Sequence, residues 1–426
     1  MAIQTPKAYR NQVMYSIYVR NHTPEGTFQA LRKDLRRISD LGVDIIWLMP
    51  IHPIGTRARK GSLGSPYAIS DYRAVNPEYG TLEDFQALVA DIHALGMKCI
   101  IDVVYYHASP VSVLVREHPQ WFYRKPDGSF GNHVGDWTDI VDLDYRNREL
   151  WDYQIETLKY WATMVDGFRC DVAPMIPMEF WQAAREAVET VRPGCFWLSE
   201  SIEPQFITYL RSQGLVAHTD AEIYQAFDVA YDYDIYGIFR SALKGERPLS
   251  DYAEALNRQE TLYPENYVKL RYLENHDQDR AANIIPDEDA RRHWTAFVYF
   301  IKGMTLLYGG QEVADAHRPG LFDRDTVNWN TGKDITPFLR RLSEIKRDMP
   351  ANSRFFAQAL PGDVLLVQQG EEGGRMLTGI FSARGGSAAV AVSLPDGQYR
   401  NLIDGETVSV AGGKIQIWHM PLILET

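Results

Sequence analysis

The feature that most constrains this chain is a unit it repeats: an amphipathic helix, a glycine, then a strand that is apolar on both faces. Phe28, Leu31, Leu35, Ile38 and Leu41 fall at helical spacing, Gly42 ends the stripe, and 43–49 runs apolar. The pattern returns with Phe85, Leu88, Ile92 and Leu95, then Gly96, then the apolar run 97–105. Thr81, with Asp84 three residues later, is expected to cap the second helix. A strand that is apolar on both faces needs cover on both, so alternation with helices predicts an α/β fold with a parallel sheet wrapped by helices. Further apolar runs at 13–19, 167–172, 195–201, 227–233, 268–275 and 304–310 bring the strand candidates to eight. Eight such units predict a closed (β/α)8 TIM barrel, with its chemistry at the C-terminal ends of the strands. An open doubly wound sheet would want a phosphate-binding glycine fingerprint after an early strand, and the sequence has none.

Spacing then divides the chain. Asp102 and Asp171 are 69 residues apart, whereas one unit of such a barrel takes about 31. A segment is therefore expected as an insertion after the third strand, at 107–148, rich in aromatic and turn-forming residues such as Trp121, Phe122, Pro126, Gly128 and Trp137. Beyond 350 the period becomes alternating, with strands expected at 364–369, 376–382, 388–394 and 415–420 between glycine-rich turns. The expected layout is a barrel from 1–106 and 149–350, the insertion, and an antiparallel β domain at 351–426.

Composition narrows the partners. Forty-four Lys and Arg against 56 Asp and Glu leave a net charge of −12, the wrong sign for a polyanion, so no nucleic acid is expected. Apolar runs are too short to span a bilayer. Cys99, Cys170 and Cys195, an odd number in strand-like contexts, argue against a disulfide framework. With no leader pattern at 1–11, a cytoplasmic location is expected. Twenty-four Tyr and 10 Trp supply rings that pack on a ligand's apolar face while their OH or NH groups reach its polar edge.

Polar clusters sit where four of the apolar runs end: Asp102 with His107; Arg169 with Asp171; Glu200; and Glu274 to Asp277, with Asn275 and His276. Residues two apart on a strand share a face, so Arg169 and Asp171 point the same way, and the guanidinium keeps that carboxylate ionised and nucleophilic. Glu200 ends the run Phe196, Trp197, Leu198, Ser199 with no cation beside it in sequence, a setting that raises a carboxyl pKa. One ionised and one protonated carboxyl is the requirement of glycoside hydrolysis, and a separation of about 5–5.5 Å would make it retaining. A divalent-metal site built from the same acids is the rival, and Arg169 beside Asp171 opposes it, since a guanidinium competes with a cation.

At these residues the sequence resembles the α-amylase family, glycoside hydrolase family thirteen, along essentially its whole length. The ordered motifs are Asp102-Val103-Val104-Tyr105-Tyr106-His107, Gly167-Phe168-Arg169-Cys170-Asp171, Glu200, and Asn275-His276-Asp277. The resemblance implies a (β/α)8 barrel with an inserted domain after strand three and a C-terminal antiparallel β-sandwich. It implies Asp171 as nucleophile, Glu200 as acid and base, and Asp277 as transition-state stabiliser. His107 and His276 match histidines that bind sugar hydroxyls, and Arg169 matches the arginine that fixes the nucleophile. Asp102 matches that arginine's buried partner, and Asn275 has a supporting place. Tyr67, in Ser65-Pro66-Tyr67, looks like the ring that stacks on the same sugar.

Two departures carry expectations of their own. Family members commonly bind calcium through an Asn just before the first-motif His and a His four residues after the nucleophile. Tyr106 and Met175 stand there, so no metal and no required cofactor are expected, although Asp144 matches a remaining carboxylate ligand. The Lys that often precedes that second His is Pro174, so contacts to the leaving-group side must differ. Ile140-Val141-Asp142-Leu143-Asp144 is closer to the α-amylase form of its motif than to α-1,6-acting forms. The expected function is retaining hydrolysis of α-1,4 bonds in maltooligosaccharides or starch fragments. A transglycosylase or α-1,6-glucosidase on the same scaffold is the alternative, and a catalytically silent binding subunit is the reading from another class. All three acids are present, which argues against silence.

Overall fold

The structure, a computed structural model, describes residues 4–371 and 373–426. Among these, eight parallel strands close into a barrel: β1 (Val13–Ile17), β2 (Ile45–Leu48), β3 (Lys98–Val103), β4 (Gly167–Cys170), β5 (Phe196–Ser199), β6 (Val229–Tyr231), β7 (Lys269–Arg271) and β8 (Met304–Tyr308), with β8 pairing back onto β1. Every strand residue except Lys98 is buried. That is what double-sided apolar runs demand: the barrel interior covers one face and the helices the other.

The helix over Leu82–Ala94 begins as the sequence predicts. Thr81 Oγ1 accepts from the Asp84 amide, and the Asp84 carboxylate accepts from the Thr81 amide, a reciprocal capping box. The earlier stripe, by contrast, is two short helices, Phe28–Arg32 and Leu35–Asp40. Between them the amides of Lys33 and Asp34 bond three residues back, to Ala30 and Leu31. Asp34 turns its carboxylate to His22 and Arg37, at 2.7 Å and 2.6 Å. The apolar stripe survives the break because Phe28, Leu31, Leu35 and Ile38 all remain buried.

Two strands are much shorter than their apolar runs. β6 stops at Tyr231, after which Asp232 pairs with Arg271 at 2.6 Å and the chain enters the helix Tyr233–Lys244. β7 stops at Arg271, leaving Glu274 to Asp277 as a loop above the barrel.

Between β3 and the helix Arg148–Ala162, the inserted segment carries a two-stranded antiparallel sheet, His107–Ala108 against Val141–Asp142. After the barrel come two antiparallel sheets, each of four described strands. One orders β9 (Arg354–Leu360), β10 (Val364–Gly370), β11 (Met376–Ser382) and β16 (Leu422–Glu425). The other orders β12 (Ala388–Ala391), β15 (Lys414–Ile417), β14 (Thr407–Ala411) and β13 (Gly397–Arg400). Four of these eight, β9, β13, β14 and β16, lie outside the stretches expected from alternation. β9 is mostly half-buried and β13 largely exposed, so their patterns lack a clean apolar face. The β domain is fastened to the helix Glu288–Phe300: Trp294 Nε1 donates to Ala383 O at 3.1 Å, the Ser382 amide donates to His293 Nδ1 at 3.0 Å, and Phe297 meets Phe381 edge-on at 5.4 Å.

Candidate active site

Strand register assembles the polar residues. β3 and β4 pair so that Asp102 lies directly across from Arg169, and β4 and β5 so that Cys170 lies across from Ser199. One residue further along, Asp171 and Glu200 leave adjacent strands side by side. Their amides bond back to Val103 O and Cys170 O, both at 3.0 Å. The close approach of β4 to β5 requires Gly167, where a Cβ would meet Phe196 O at 2.3 Å.

Arg169, fully buried, joins the acids. Its Nη1 donates to Asp102 Oδ1 at 2.8 Å and to Asp171 Oδ1 at 2.7 Å, while Nη2 lies 2.8 Å from Glu200 Oε1. Sequence reasoning left Glu200 without a cation; the structure supplies one across the strand pair. Even so, burial dominates and pushes the Glu200 carboxyl well above its ordinary range, with Arg169 opposing and the charges of Asp171 and Asp277 adding to the rise. Burial likewise raises Asp102 to about 6, against the pull of Arg169. One guanidinium cannot neutralise three carboxylates, so the cluster favours a proton on Glu200.

The second Glu200 oxygen, Oε2, accepts from the Val172 amide at 2.9 Å. Val172 holds a left-handed backbone, φ 38° and ψ 39°, which a β-branched residue adopts only when its surroundings impose it. The turn directly after Asp171 is thus strained in the conformation that aims an N–H at its neighbour.

Asp277 sits on the opposite rim. Asn275 Oδ1 accepts from the Asp277 amide at 2.9 Å and fixes the turn, and His276 Nε2 lies 3.0 Å from Asp277 Oδ2. Burial tends to raise the Asp277 carboxyl, but His276, together with the charges of Arg169 and Arg318, more than offsets it and holds the group at about 2. Tyr67 closes the circle: its hydroxyl is 2.7 Å from His276 Nε2 and donates to Asp102 Oδ2 at 3.2 Å, and its ring lies nearly parallel to His276. His107 is buried with Nδ1 unpartnered, and its ring packs 5.4 Å from Trp137.

These side chains line one cavity of about 330 Å³, together with Lys60, Ser65, Asp139, Ile140, Leu321 and Phe322. It holds Tyr67, His107, Asp171, Glu200, His276 and Asp277 from the sequence-derived set, with Arg169, Asp102 and Asn275 behind them. Sequence reasoning missed Lys60, Asp139, Phe322 and the Val172 amide. They lie on irregular loops whose pairing has no periodic signal.

An eight-stranded barrel with this constellation at the C-terminal strand ends defines a class of carbohydrate-active protein, and comparison with known families makes it specific. The model of the alpha amylase catalytic domain matches residues 14–128 and 115–355, and that of the bacterial alpha amylase C-terminal domain matches 358–424. The chain belongs to the α-amylase family, glycoside hydrolase family 13.

Among solved structures it is similar to an alpha-amylase from Lactobacillus plantarum, at 44% identity and a TM-score of 0.96, covering 99% of this chain and 100% of that one. It is also similar to a noncanonic maltogenic alpha-amylase, AmyB, from Thermotoga neapolitana, at 33% identity and a TM-score of 0.86, covering 98% and 99%. Among curated relatives, an alpha-1,4-glucan:maltose-1-phosphate maltosyltransferase of Rhodospirillum rubrum is 29% identical over 78% of this chain and 49% of its own length. The alpha-amylase MalA of Haloarcula japonica is 25% identical over 82% of this chain and 50% of its own. The chain spans about half the length of these curated relatives.

Proposed function

We propose that the protein is a retaining α-glucan hydrolase that cleaves α-1,4 bonds in maltooligosaccharides or starch fragments. The observation that carries this reading is the shared guanidinium. Asp171 and Glu200 each contact one terminal nitrogen of Arg169, which supports the short carboxyl separation of retaining enzymes, about 5–5.5 Å, over the roughly 6.5–9.5 Å of inverting ones.

Asp171 Oδ attacks the anomeric carbon while Glu200 gives its proton to the departing glycosidic oxygen. The C–O bond breaks and a glycosyl ester forms. Glu200, now ionised, takes a proton from water as the water oxygen attacks the same carbon, releasing Asp171 and restoring the acid. Asp277, ionised at neutral pH, accepts hydrogen bonds from sugar hydroxyls that strengthen as the ring flattens. His276 and the unpartnered Nδ1 of His107 supply further polar contacts, and Tyr67 offers its ring.

The residues at the family's calcium position do not fit that ion. Arg146 grips Asp144 with Nε at 2.8 Å and Nη2 at 2.6 Å, and this fork holds the carboxyl below its ordinary range. Met175 offers a thioether, and the Tyr106 hydroxyl is directed to Asp142. Calcium takes oxygen ligands, and a guanidinium already neutralises the acid it would use. We infer that the insertion is held without calcium.

The names of the maltosyltransferase relatives favour keeping one second reading, in which a sugar hydroxyl replaces water as acceptor. Incubation with maltotriose, maltoheptaose, pullulan and starch separates the two. Hydrolysis yields only products shorter than the substrate; products longer than the substrate identify transfer, and cleavage confined to pullulan's α-1,6 bonds overturns the α-1,4 assignment.

A further inference from the structure

Three loops meet at one side of the catalytic cavity. Lys60, between β2 and the helix Leu82–Ala94, places Nζ 3.1 Å from Asp139 Oδ1 of the insertion and 5.7 Å from the ring centre of Phe322, in the loop after β8. All three residues line the cavity that contains Asp171 and Glu200. Asp139 is buried, so its carboxylate depends on the cation that reaches it.

The wall is built, not incidental. The Leu63 and Gly64 amides both donate to Phe322 O, at 2.9 Å and 3.1 Å. Ser62 donates to Asp323 Oδ1 from its amide and its hydroxyl, at 2.8 Å and 2.6 Å. From beneath, the fully buried Arg20 donates through Nη1 to Gly64 O and Leu321 O, at 3.0 Å and 3.1 Å, and is itself held by Glu78. Gly61, at φ +60°, permits the contact, since a Cβ there would lie 2.7 Å from Phe322 O. Lys60 then ties this double loop to the insertion. The cavity so bounded, about 330 Å³, is near the lower end of the roughly 300–1,000 Å³ of ligand sites.

We propose that the Lys60–Asp139 bridge and Phe322 form a stop at one end of the sugar cleft, so that the substrate is a linear α-glucan bound by its chain terminus, not the interior of a long or cyclic chain. This rests on the α-glucan reading above. A chain threading past the stop would have to part Lys60 from Asp139 and leave a buried carboxylate unpaired. A terminal sugar meets instead the exposed ring of Phe322, an apolar surface suited to the sugar's apolar face.

The test compares maltoheptaose with its two end-capped forms, one blocked at the non-reducing end and one at the reducing end, and with the cyclic glucan of equal unit count. Unmodified maltoheptaose should be cleaved about 100-fold faster than the cyclic glucan and than one of the capped chains, a discrimination within reach of a shaped pocket. The double variant Lys60→Ala, Phe322→Ala should reduce that preference about tenfold, and Lys60→Arg alone should retain it. Comparable wild-type rates on all four substrates overturn the stop, and this comparison does not depend on any variant folding. An unchanged preference in a folded double variant overturns the assignment of the stop to these residues. No cleavage of unmodified maltoheptaose at all strikes at the α-glucan reading instead, and takes the stop with it.

Discussion

In the proposed mechanism the charge state of Glu200 decides whether the cluster around Arg169 can act. Its carboxyl is raised well above the ordinary value, so it keeps its proton at pH values where an exposed Glu has lost it, and loses it as pH rises further. The proposed mechanism requires that proton, so the alkaline limb of the kcat/KM profile is expected to belong to Glu200 and to lie above the usual carboxyl range. Glu200→Gln should lower turnover of maltotriose by about 10²–10⁴-fold and abolish that limb, with the melting temperature showing that the variant folds. A folded variant that keeps the alkaline limb would assign it to another group. At this scale the sequence was highly legible for residues ending strands, because strand ends in a barrel converge whatever the loops do. It was silent on Val172, whose contribution is an amide aimed by a strained turn, and on the Arg169–Glu200 contact, which needs the register of β4 against β5.

Backbone fit governs the elements, and two glycines separate its sources. Gly167 in β4 faces Phe196 O with no room for a Cβ, whereas Gly237, inside the helix Tyr233–Lys244, has open space. Gly167→Ala is expected to destabilise by about 1–3 kcal/mol through forced strand displacement, and Gly237→Ala to stabilise by about 0.4–1 kcal/mol by restricting the unfolded chain. Opposite shifts in urea midpoint at an unchanged slope would bear this out; shifts of the same sign would not. Periodicity found the barrel strands because their burial is two-sided. It overextended 227–233 and 268–275 because apolar residues continue past the last paired strand residues, Tyr231 and Arg271, into a helix and a loop. It joined Phe28 to Leu41 into one helix because the apolar stripe crosses the break at Lys33 unchanged.

Over the whole molecule, two kinds of junction hold the parts together. The β domain buries Phe381 against Phe297 and Phe300 of the helix Glu288–Phe300, so calorimetry should show barrel and β domain unfolding in one transition; two well-separated transitions would contradict that coupling. The insertion is tied to the barrel by protein contacts, Tyr145 Oη donating to Gln154 Oε1 of the helix Arg148–Ala162 at 2.6 Å, and Arg146 already occupies Asp144, so on the proposed reading dialysis against a chelator should leave activity and melting temperature unchanged, and a large drop in both would show that a cation is required there. The closed barrel and the C-terminal antiparallel sheets were legible from spacing and period, whereas contacts between loops of different segments, such as Lys60 with Asp139, were not. Retention through an Asp171 ester is read from the anomeric configuration of the first product. Proton NMR of maltotriose cleavage, read before mutarotation, should show the new reducing end appearing as the α anomer, as two displacements through an Asp171 ester require. The β anomer appearing first would contradict the account.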